Sequence, residues 1–542
     1  MRPTTAAVLL SVGLCRLHVP PCFAFRARIP MHMVHAPPSS LRESTCAAGE
    51  VGGAQSDWLE NFELDSRGKV MLKGLLFSET EQLMERLGEK PGRAEVLSGW
   101  LYHDRRLIRD IAEIAGGGDE HRRIESEHSN IAATNIAAPA KTRMGRRTRD
   151  ALGLVATADG GLELEDVQLA ADGTRKLVSV LTSGEGSGKK VETVIIPMLR
   201  GPQREPRYTV CVSSQVGCAM NCQFCYTGRL GLMANLQAAQ IVEQVLVAKR
   251  FLESVGDPAP VTGVVFMGMG EPFDNYERVM RAVQILTDPQ AGVRLKASSV
   301  TVSTVGLVPQ IDRFCQDAGN GASLAISLHA VTDEIRDKLI PVNRRYPLGQ
   351  LSETLRTHFP RISKPKTKPK QPSSADAATL VVAAGNGKEW LEVAGQLNPI
   401  SDAGGEAPKP TDQKEPRRTR RGRRRKTRIL AVEYTLLGGV NDSVEDAGRL
   451  ADWLRGVACV VNLITFNAHE GTPFSSSSLE ASETFRQTMT ARGQLCTFRD
   501  SRGDDGMAAC GQLGGESMAG SGDRARKPVP VAWEPPSTAQ AA

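Results

Sequence analysis

Four of the eleven cysteines lie within fifteen residues, in the stretch CVSSQVGCAMNCQFCYTGRLGL at 211–232. Cys218, Cys222 and Cys225 follow a CxxxCxxC spacing, and Cys211 lies upstream of them. A structural zinc needs a fourth ligand, usually from a second cysteine pair with two-residue spacing, which the sequence lacks. Three cysteines on a four-iron cluster leave one iron open to bind a substrate. The spacing therefore favours an iron–sulfur cluster, with zinc as the alternative.

The composition is compatible with a large enzyme in a reducing compartment. The chain has 542 residues, enough for two or three domains, and a formal net charge of +6. Clustered thiols in a chain of this size indicate a metal or catalytic site and not a disulfide scaffold. No apolar run approaches the length of a membrane span, so none is expected in the mature protein.

From about Val191 the sequence alternates between apolar strand candidates and amphipathic helices. The strand candidates are 208–214, 261–268, 298–304, 322–329, 429–437 and 460–467. The helix candidates are 235–255, with Asn235 as its expected N-cap, 275–288, 332–340 and 443–456. This alternation predicts an α/β fold with a parallel sheet, either doubly wound or barrel-like. Active residues should gather at the carboxyl ends of the strands.

Changes in composition predict how the chain is divided. Residues 362–427 are rich in Lys, Pro, Ala and Gly and are too long and polar for a connection between strand and helix. The predicted parts are a targeting presequence at 1–42, a linker at 43–70, a small helical domain followed by a loop at 71–150, a core at 191–520 with an insertion at about 362–427, and a disordered tail at 521–542.

The first 42 residues have two features of targeting sequences. An apolar stretch at 6–15 leads to small residues near Ala24, as in a secretory signal. The following residues carry arginines and no acidic residue before Glu43, as in an organellar transit peptide. The combination resembles the bipartite plastid presequence of algae with secondary plastids, so the expected location is the plastid stroma. A mitochondrial presequence or a plain secretion signal is the alternative.

The cysteine spacing after the first predicted strand, with Phe224 before the third cysteine, resembles the radical S-adenosylmethionine (radical SAM) superfamily. More narrowly, the sequence resembles the RlmN/Cfr methyltransferases, which methylate adenine in RNA. The matching segments stand in the family's order: GEKPGRAEVLSGWLY, VETVIIP, CVSSQVGC, GMGEPFDNY, VTVSTVGLVP, LAISLHA, IPVNRRYPL, VNLITFN and SRGDDGMAACGQLGG. The resemblance implies a partial (β/α)6 barrel with a small N-terminal helical domain that binds RNA.

The resemblance also implies roles for individual residues. Cys218, Cys222 and Cys225 match the ligands of a [4Fe-4S] cluster. The residues that match S-adenosylmethionine (SAM) contacts lie at predicted strand ends: Gly270, Glu271, Ser303, Ser327, Leu328, His329 and Asn467. For Glu271, a carboxylate is a good partner for the ammonium group of the methionine part.

Three further residues match the catalytic residues of the family. The counterpart of Cys510 takes a methyl group from one SAM, and a radical made from a second SAM turns that methyl into a carbon radical that adds to adenine. The counterpart of Cys211 then releases the product and forms a disulfide with Cys510. Glu192 matches the carboxylate that acts as proton acceptor. Two SAM molecules are therefore expected per methylation.

The function expected from this resemblance is methylation at carbon 2 of an adenosine in organellar large-subunit rRNA, with tRNA beside the anticodon as a second substrate. An electron donor such as flavodoxin or ferredoxin is implied. One alternative is methylation at carbon 8, the Cfr activity. A more distant alternative is a non-catalytic RNA-binding protein with an iron or zinc site.

Contact with RNA needs basic surface that follows the phosphates. The candidates are a first patch made of Arg143, Arg146, Arg147 and Arg149, and a second made of the basic residues in 417–428. A solvated charge run, or a look-alike of a nuclear import signal, is the alternative interpretation, particularly for the second patch, because it lies inside the predicted insertion.

Overall fold

The structure is a computed structural model that describes residues 62–103, 107–114, 144–198, 205–317, 321–361, 429–469, 471–499, 502–503 and 505–514. The predicted presequence, insertion and tail lie outside these residues and stay predictions. Within the described ranges, no helix combines the length and the apolar character that crossing a bilayer requires.

The first described residues are mainly helical. Strand β1 (Val70–Met71) pairs in parallel with β2 (Ala156–Thr157), and the helices described between them are α1 (Phe77–Arg86), α2 (Arg93–Ser98) and α3 (Arg146–Val155). Two predicted boundaries need correction. Helix α3 begins inside the stretch assigned to a loop, and residues 62–70, assigned to the linker, form a turn in which Asp65 N–H donates to the Lys69 carbonyl at 2.8 Å.

Three antiparallel strands precede the cysteine-rich stretch. They are β3 (Leu162–Leu169), β4 (Arg175–Leu181) and β5 (Lys190–Pro197). The segment VETVIIP of the family resemblance lies on β5, whereas β3 and β4 were not predicted from the sequence patterns. These strands extend the main sheet on one side and are called the antiparallel extension below.

The remaining strands include the parallel part of the sheet and one hairpin. They are β6 (Tyr208–Cys211), β7 (Gln215–Gly217), β8 (Leu232–Asn235), β9 (Val261–Phe266), β10 (Val300–Thr304), β11 (Ser323–Ser327), β12 (Leu430–Leu436), β13 (Cys459–Thr465) and β14 (Cys496–Arg499). The ten-stranded sheet has the order β14-β13-β12-β11-β10-β9-β6-β5-β4-β3, and β7 pairs with β8 separately. From β6 to β14 neighbouring strands are parallel. The six strand predictions are confirmed, and β14 adds a seventh parallel strand.

Helices alternate with these strands as predicted. They are α4 (Tyr226–Arg229), α5 (Ala238–Ser254), α6 (Tyr276–Thr287), α7 (Val308–Gln316), α8 (Asp333–Leu339), α9 (Leu348–His358), α10 (Val444–Trp453) and α11 (Leu479–Ala491). The α/β prediction is confirmed, and the open strand order, with β14 and β3 at the two edges, agrees with a partial barrel.

The predicted N-cap of α5 is wrong. Asn235 ends strand β8, and the cap residue is Gln237. The first amides of α5 are satisfied from elsewhere, because the Glu63 carboxylate accepts hydrogen bonds from Ala238 N–H at 2.8 Å and Ala239 N–H at 3.0 Å. The N-terminal segment, through Glu63, thus supplies hydrogen-bond acceptors for the first free amides of a helix in the barrel.

The core fills the space between the parallel strands and the helices. Central strand residues such as Val264, Val302, Ile326, Val432 and Val461 have no more than traces of exposed surface. Apolar, β-branched side chains are expected where a strand is covered on both faces. The rigid sheet places the carboxyl ends of its strands side by side, which is where the site lies.

Candidate active site

The cysteine-rich loop is held between the β7–β8 hairpin and α4. Cys218 N–H donates to the carbonyl of Gly231 at 3.0 Å, and Cys225 N–H donates to the carbonyl of Cys222 at 3.1 Å. The N–H of Gln223 donates to the last residue of α8 at 2.9 Å, which docks the loop against the barrel. The structure therefore brings the three predicted cluster ligands together on one tight turn.

These three thiols fit an iron–sulfur cluster. Burial raises the pKa of Cys222, and repulsion from Cys218 and Cys225 raises it further. In the part of the chain that the structure describes, no three ligating side chains converge closely enough to hold a single metal ion. The three thiols lie near enough to one another for their charges to interact. Cys218, Cys222 and Cys225 would hold a cluster, and the open iron would bind SAM.

Gly270 and Glu271 form a turn that packs closely against strand β7 of the β7–β8 hairpin. Gly270 has φ +97°, and a Cβ there would lie 2.6 Å from the Gln215 Cβ, so only glycine fits. The Glu271 carboxylate accepts hydrogen bonds from Phe273 N–H at 3.0 Å and Val305 N–H at 2.9 Å. Burial raises the pKa of Glu271 to about 7, although these hydrogen bonds lower it. The Glu271 carboxylate oxygens keep further lone pairs that can accept hydrogen bonds from an ammonium group.

The ends of β10 and β11 bring together four residues predicted to bind SAM. Ser303 Oγ lies 3.2 Å from Ser327 Oγ, and Leu328 is fully buried. The His329 ring lies 4.8 Å from the Phe224 ring, and its Nδ1 accepts a hydrogen bond from Thr435 N–H at 2.9 Å. Burial lowers the pKa of His329 to about 3, so the ring is neutral and its proton is on Nε2.

Asn467 links the end of β13 to the segment that carries Cys510. Its Nδ2 donates to the Cys510 carbonyl at 3.3 Å. The same segment contacts the start of α4, where Tyr226 N–H donates to the Gly511 carbonyl at 2.8 Å. Thr227 Oγ1 donates to the carbonyl of Leu513 at 2.6 Å. Cys510 is thereby placed next to the cysteine-rich loop, with its side chain exposed.

Cys211 and Cys510 lie close enough for their charges to interact. Burial and, to a smaller extent, the charge of Cys510 raise the pKa of Cys211 to about 12, although Arg499 acts to lower it. Burial also raises the pKa of Cys510 and Arg499 lowers it. Arg499 Nη1 lies 3.3 Å from Met267 Sδ and 3.5 Å from Glu433 Oε2.

Glu192 lies on β5 and is fully buried. Its Oε2 accepts a hydrogen bond from Gly514 N–H at 2.8 Å, and its Oε1 lies 3.7 Å from Lys176 Nζ. The structure therefore places Glu192 against the segment that carries Cys510, where it contacts the main chain of Gly514 and the side chain of Lys176.

Sequence reasoning missed three cations around the site, of which Lys176 and Arg336 are buried and Arg499 is 29% exposed. Arg499 was counted only within a strand-like stretch, and Lys176 lies on an unpredicted strand. Arg336 lies on α8, where an exposed charge was the simplest interpretation of an amphipathic helix. Its guanidinium is fully buried and donates to the carbonyls of Leu328 at 3.0 Å and Val305 at 2.6 Å. The sequence feature that could have identified these residues is a Lys or Arg within an otherwise apolar strand or helix face.

The first basic patch is only partly exposed. Arg146 and Arg147 are exposed, whereas Arg149 is half-buried and donates to the Ile114 carbonyl at 3.0 Å. Arg143 and the second patch, at 417–428, lie outside the described residues. The role of either patch in RNA contact stays a prediction.

Comparison with known proteins agrees with this geometry. Residues 212–357 match the family model described as "Radical SAM superfamily". The chain is 36% identical over 463 residues to the "Dual-specificity RNA methyltransferase RlmN" of Anaeromyxobacter sp. (strain Fw109-5), covering 85% of this chain and 93% of that relative. It is 33% identical to the protein of the same name from Geobacter sulfurreducens, with 85% and 97% covered.

A solved structure is also similar. The crystal structure of a radical SAM methyltransferase from Sphaerobacter thermophilus matches 82% of this chain and 98% of its own, with a TM-score of 0.58 and 32% identity. The similarity thus extends over the barrel and the helical part that precedes it.

Proposed function

The chain belongs to the RlmN family of radical SAM RNA methyltransferases, and from this premise we propose that it methylates carbon 2 of adenosine, using Cys510 as methyl carrier. The substrates proposed are organellar large-subunit rRNA and tRNA next to the anticodon. The observation that carries the proposal is the placement of Cys510. Its segment is bonded to the cysteine-rich loop and to Asn467, and the charge of its thiol interacts with those of Cys211 and Arg499.

The residues around the site support a division of roles. Cys218, Cys222 and Cys225 hold the cluster, and Gly270, Glu271, Ser303, Ser327, Leu328, His329 and Asn467 surround the SAM position. When bound, the cluster and SAM supply a 5′-deoxyadenosyl radical, the hydrogen-abstracting species of this superfamily. An aromatic carbon is not nucleophilic, so it cannot take a methyl group from a sulfonium directly. A carbon radical carried on a protein sulfur can add to it.

In the proposed reaction, the methyl group passes from SAM to Cys510 and then to adenine. The Cys510 thiolate takes the methyl group of one SAM, and S-adenosylhomocysteine leaves. Loss of a hydrogen atom gives a methylene radical on the Cys510 sulfur, which bonds to carbon 2. Cys211 then attacks the Cys510 sulfur. As the disulfide forms, the bond between sulfur and methylene breaks and the methylene carbon takes up the Cys211 proton. The hydrogen on carbon 2 leaves as a proton, one electron passes to a one-electron acceptor, and methylated adenine is released. A flavodoxin- or ferredoxin-type donor and a disulfide reductant complete the cycle.

The test is anaerobic reconstitution followed by an assay on unmodified large-subunit rRNA. Mass spectrometry of the digested RNA should find 2-methyladenosine only when SAM and a reductant are both present. Cys510→Ala should abolish the product, whereas Cys315→Ala, on α7, should retain it. Product at carbon 8 would favour the Cfr-type alternative. Product without a reductant, or from the Cys510→Ala protein, would contradict the radical route.

The proposed location is the plastid stroma, with the mitochondrion as the alternative. Support comes only from the sequence of residues 1–42, which lie outside the described residues. A fluorescent protein fused behind residues 1–60 should collect in plastids of an alga with secondary plastids. Secretion of the fusion would contradict the proposal.

A further inference from the structure

Several hydrogen bonds join the described part of the segment that carries Cys510 (502–503 and 505–514) to the antiparallel extension and the turn between β3 and β4. Near its start, Gly503 N–H donates to Asp172 at 3.2 Å, and Ala171 N–H donates to the Asp505 carboxylate at 2.8 Å. These two contacts are partly exposed. Two further contacts with the segment are made by the buried side chains of Lys176 on β4 and Glu192 on β5.

Lys176 and Glu192 hold the segment on both sides of Cys510. Lys176 Nζ donates to the Met507 carbonyl at 3.0 Å, and Glu192 Oε2 accepts from Gly514 N–H at 2.8 Å. The two side chains face each other, with Lys176 Nζ 3.7 Å from Glu192 Oε1, and are 1% and 0% exposed. Hydrogen bonds from buried, ionised groups are among the stronger ones in proteins. One buried ion pair therefore anchors the segment at positions that bracket the reactive thiol.

The opposite face of the segment contacts residues of the candidate active site. The start of α4 and Asn467 bond to residues 510–513, as described above. A loop pinned on both faces leaves its central side chain little freedom, and reacting atoms that are misplaced by about 1 Å can cost on the order of 100-fold in rate. The buried pair is thus in a position to set where the Cys510 sulfur lies.

We propose that Lys176 and Glu192 form a positioning pair that fixes Cys510 for methyl transfer, with Glu192 anchoring the segment through the Gly514 amide. This inference rests on the proposed function, because it takes Cys510 as the methyl carrier. Neither side chain touches the reacting atoms in this assignment. The sequence analysis gave Lys176 no role. For Glu192, the positioning role differs from the proton-acceptor role that the resemblance implies.

The first experiment measures the anchoring itself and needs no activity. Lys176→Met combined with Glu192→Gln removes the bond to Met507 without leaving an unpaired buried charge. The matched control is Lys190→Met with Glu165→Gln, which removes an ion pair of 2.6 Å on the same extension with more solvent exposure. Hydrogen–deuterium exchange of the 505–514 peptide should be at least tenfold faster in the first variant only. Equal exchange in the two variants would overturn the proposal.

The second experiment separates an anchor from a base. Each protein is reconstituted with SAM in the absence of RNA, and methylation of Cys510 is followed by mass spectrometry. A positioning pair predicts at least a tenfold slower methylation of Cys510 in Lys176→Met/Glu192→Gln and a normal rate in the control. A proton acceptor acts only after the adduct with RNA has formed. Normal Cys510 methylation with loss of RNA product alone would therefore restore the base assignment and overturn the proposal.

The unmodified protein distinguishes this inference from the function on which it rests. If the wild-type chain forms neither methyl-Cys510 nor methylated RNA, the proposed function fails, while the exchange experiment still decides whether the pair anchors the segment. If the wild type is active and both paired variants match it, the positioning role alone is overturned.

Discussion

Arg499 places a positive charge beside both reactive thiols of the site. It lowers the pKa of Cys211 and of Cys510, although burial keeps each above its ordinary range. A thiolate is the form that takes a methyl group or attacks a sulfur. Arg499 is therefore expected to increase the reactive fraction of both thiols at neutral pH.

Replacing this cation should shift the reactivity of Cys510 to higher pH. In Arg499→Leu the thiol pKa rises, so the thiolate fraction at any pH below it falls. Alkylation of Cys510 by iodoacetamide, followed by mass spectrometry from pH 6 to 10, should show a profile displaced to higher pH than in the wild type. Arg486→Leu, which removes an arginine paired with Glu483 on α11, serves as control and should leave the profile unchanged. Superimposable profiles for Arg499→Leu and the wild type would contradict this role.

Gly270 provides a second test at the level of one residue. Gly270→Ala adds a Cβ that would lie 2.6 Å from a buried side chain, at a φ of +97°. Strain of this kind costs about 1–3 kcal/mol, and relief would displace the adjacent Glu271. SAM binding measured by equilibrium dialysis should weaken at least tenfold. Gly349→Ala, an exposed position of α9 where a Cβ meets nothing within 4 Å, should bind normally. Equal binding by the two variants would exclude a tight turn at Gly270.

Among the elements, α5 joins the barrel to the N-terminal helices. Lys73 Nζ lies 2.7 Å from Glu243 of this helix, and both side chains are fully buried. Glu79 of α1 also pairs with Arg281 of α6 at 2.6 Å. Arg250 also pairs with Glu243, so removing Lys73 leaves the buried carboxylate with one of its two cations. Losing a partner of a buried charge is costly.

Lys73→Met should therefore destabilise the protein by about 3 kcal/mol. The change would be seen as a lower midpoint in urea unfolding followed by circular dichroism. Lys338→Met removes an exposed pair within α8, 3.6 Å from Glu334, and should cost less than about 1 kcal/mol. If both variants unfolded at the same urea concentration, the buried pair would not stabilise the junction.

The predictability of these elements follows from how local their signals are. The parallel strands and their helices were predicted from continuous apolar runs and helical periodicity, which depend on neighbouring residues only. Strand β3 carries the alternation LELEDVQL, a signal for an edge strand that was available but not used. The cap of α5 could not be predicted, because Glu63 reaches it from a distant part of the chain. Non-local contacts of this kind decide details that sequence patterns leave open.

The same distinction applies to the site residues. The cysteine loop and the strand ends follow from spacing and fold, so their residues could be named from the sequence. Lys176, Arg336 and Arg499 were missed, because their contacts with the site join parts of the chain that are distant in sequence. The interpretation of Glu192 also changed in this way, once its contacts with Lys176 and Gly514 were known.

At the scale of the whole molecule, distant parts of the chain meet at one point. The first strand of the parallel sheet supplies Cys211, the adjacent loop supplies the three proposed cluster ligands, and the described C-terminal segment supplies Cys510. The antiparallel extension holds that segment in place through β4 and β5. A sheet with an extra antiparallel side therefore fits a chemistry in which a methyl carrier must stay close to the cluster.

The central claim, that the methyl group passes through Cys510, has a direct isotopic test. Protein loaded with trideuterated methyl on Cys510 is given unlabelled SAM, a reductant and unmodified rRNA for one turnover without oxygen. The account predicts methyladenine with two deuterium atoms, and 5′-deoxyadenosine with one. A first product with an unlabelled methyl group would contradict it, because the methyl group would then have come from SAM without visiting the protein.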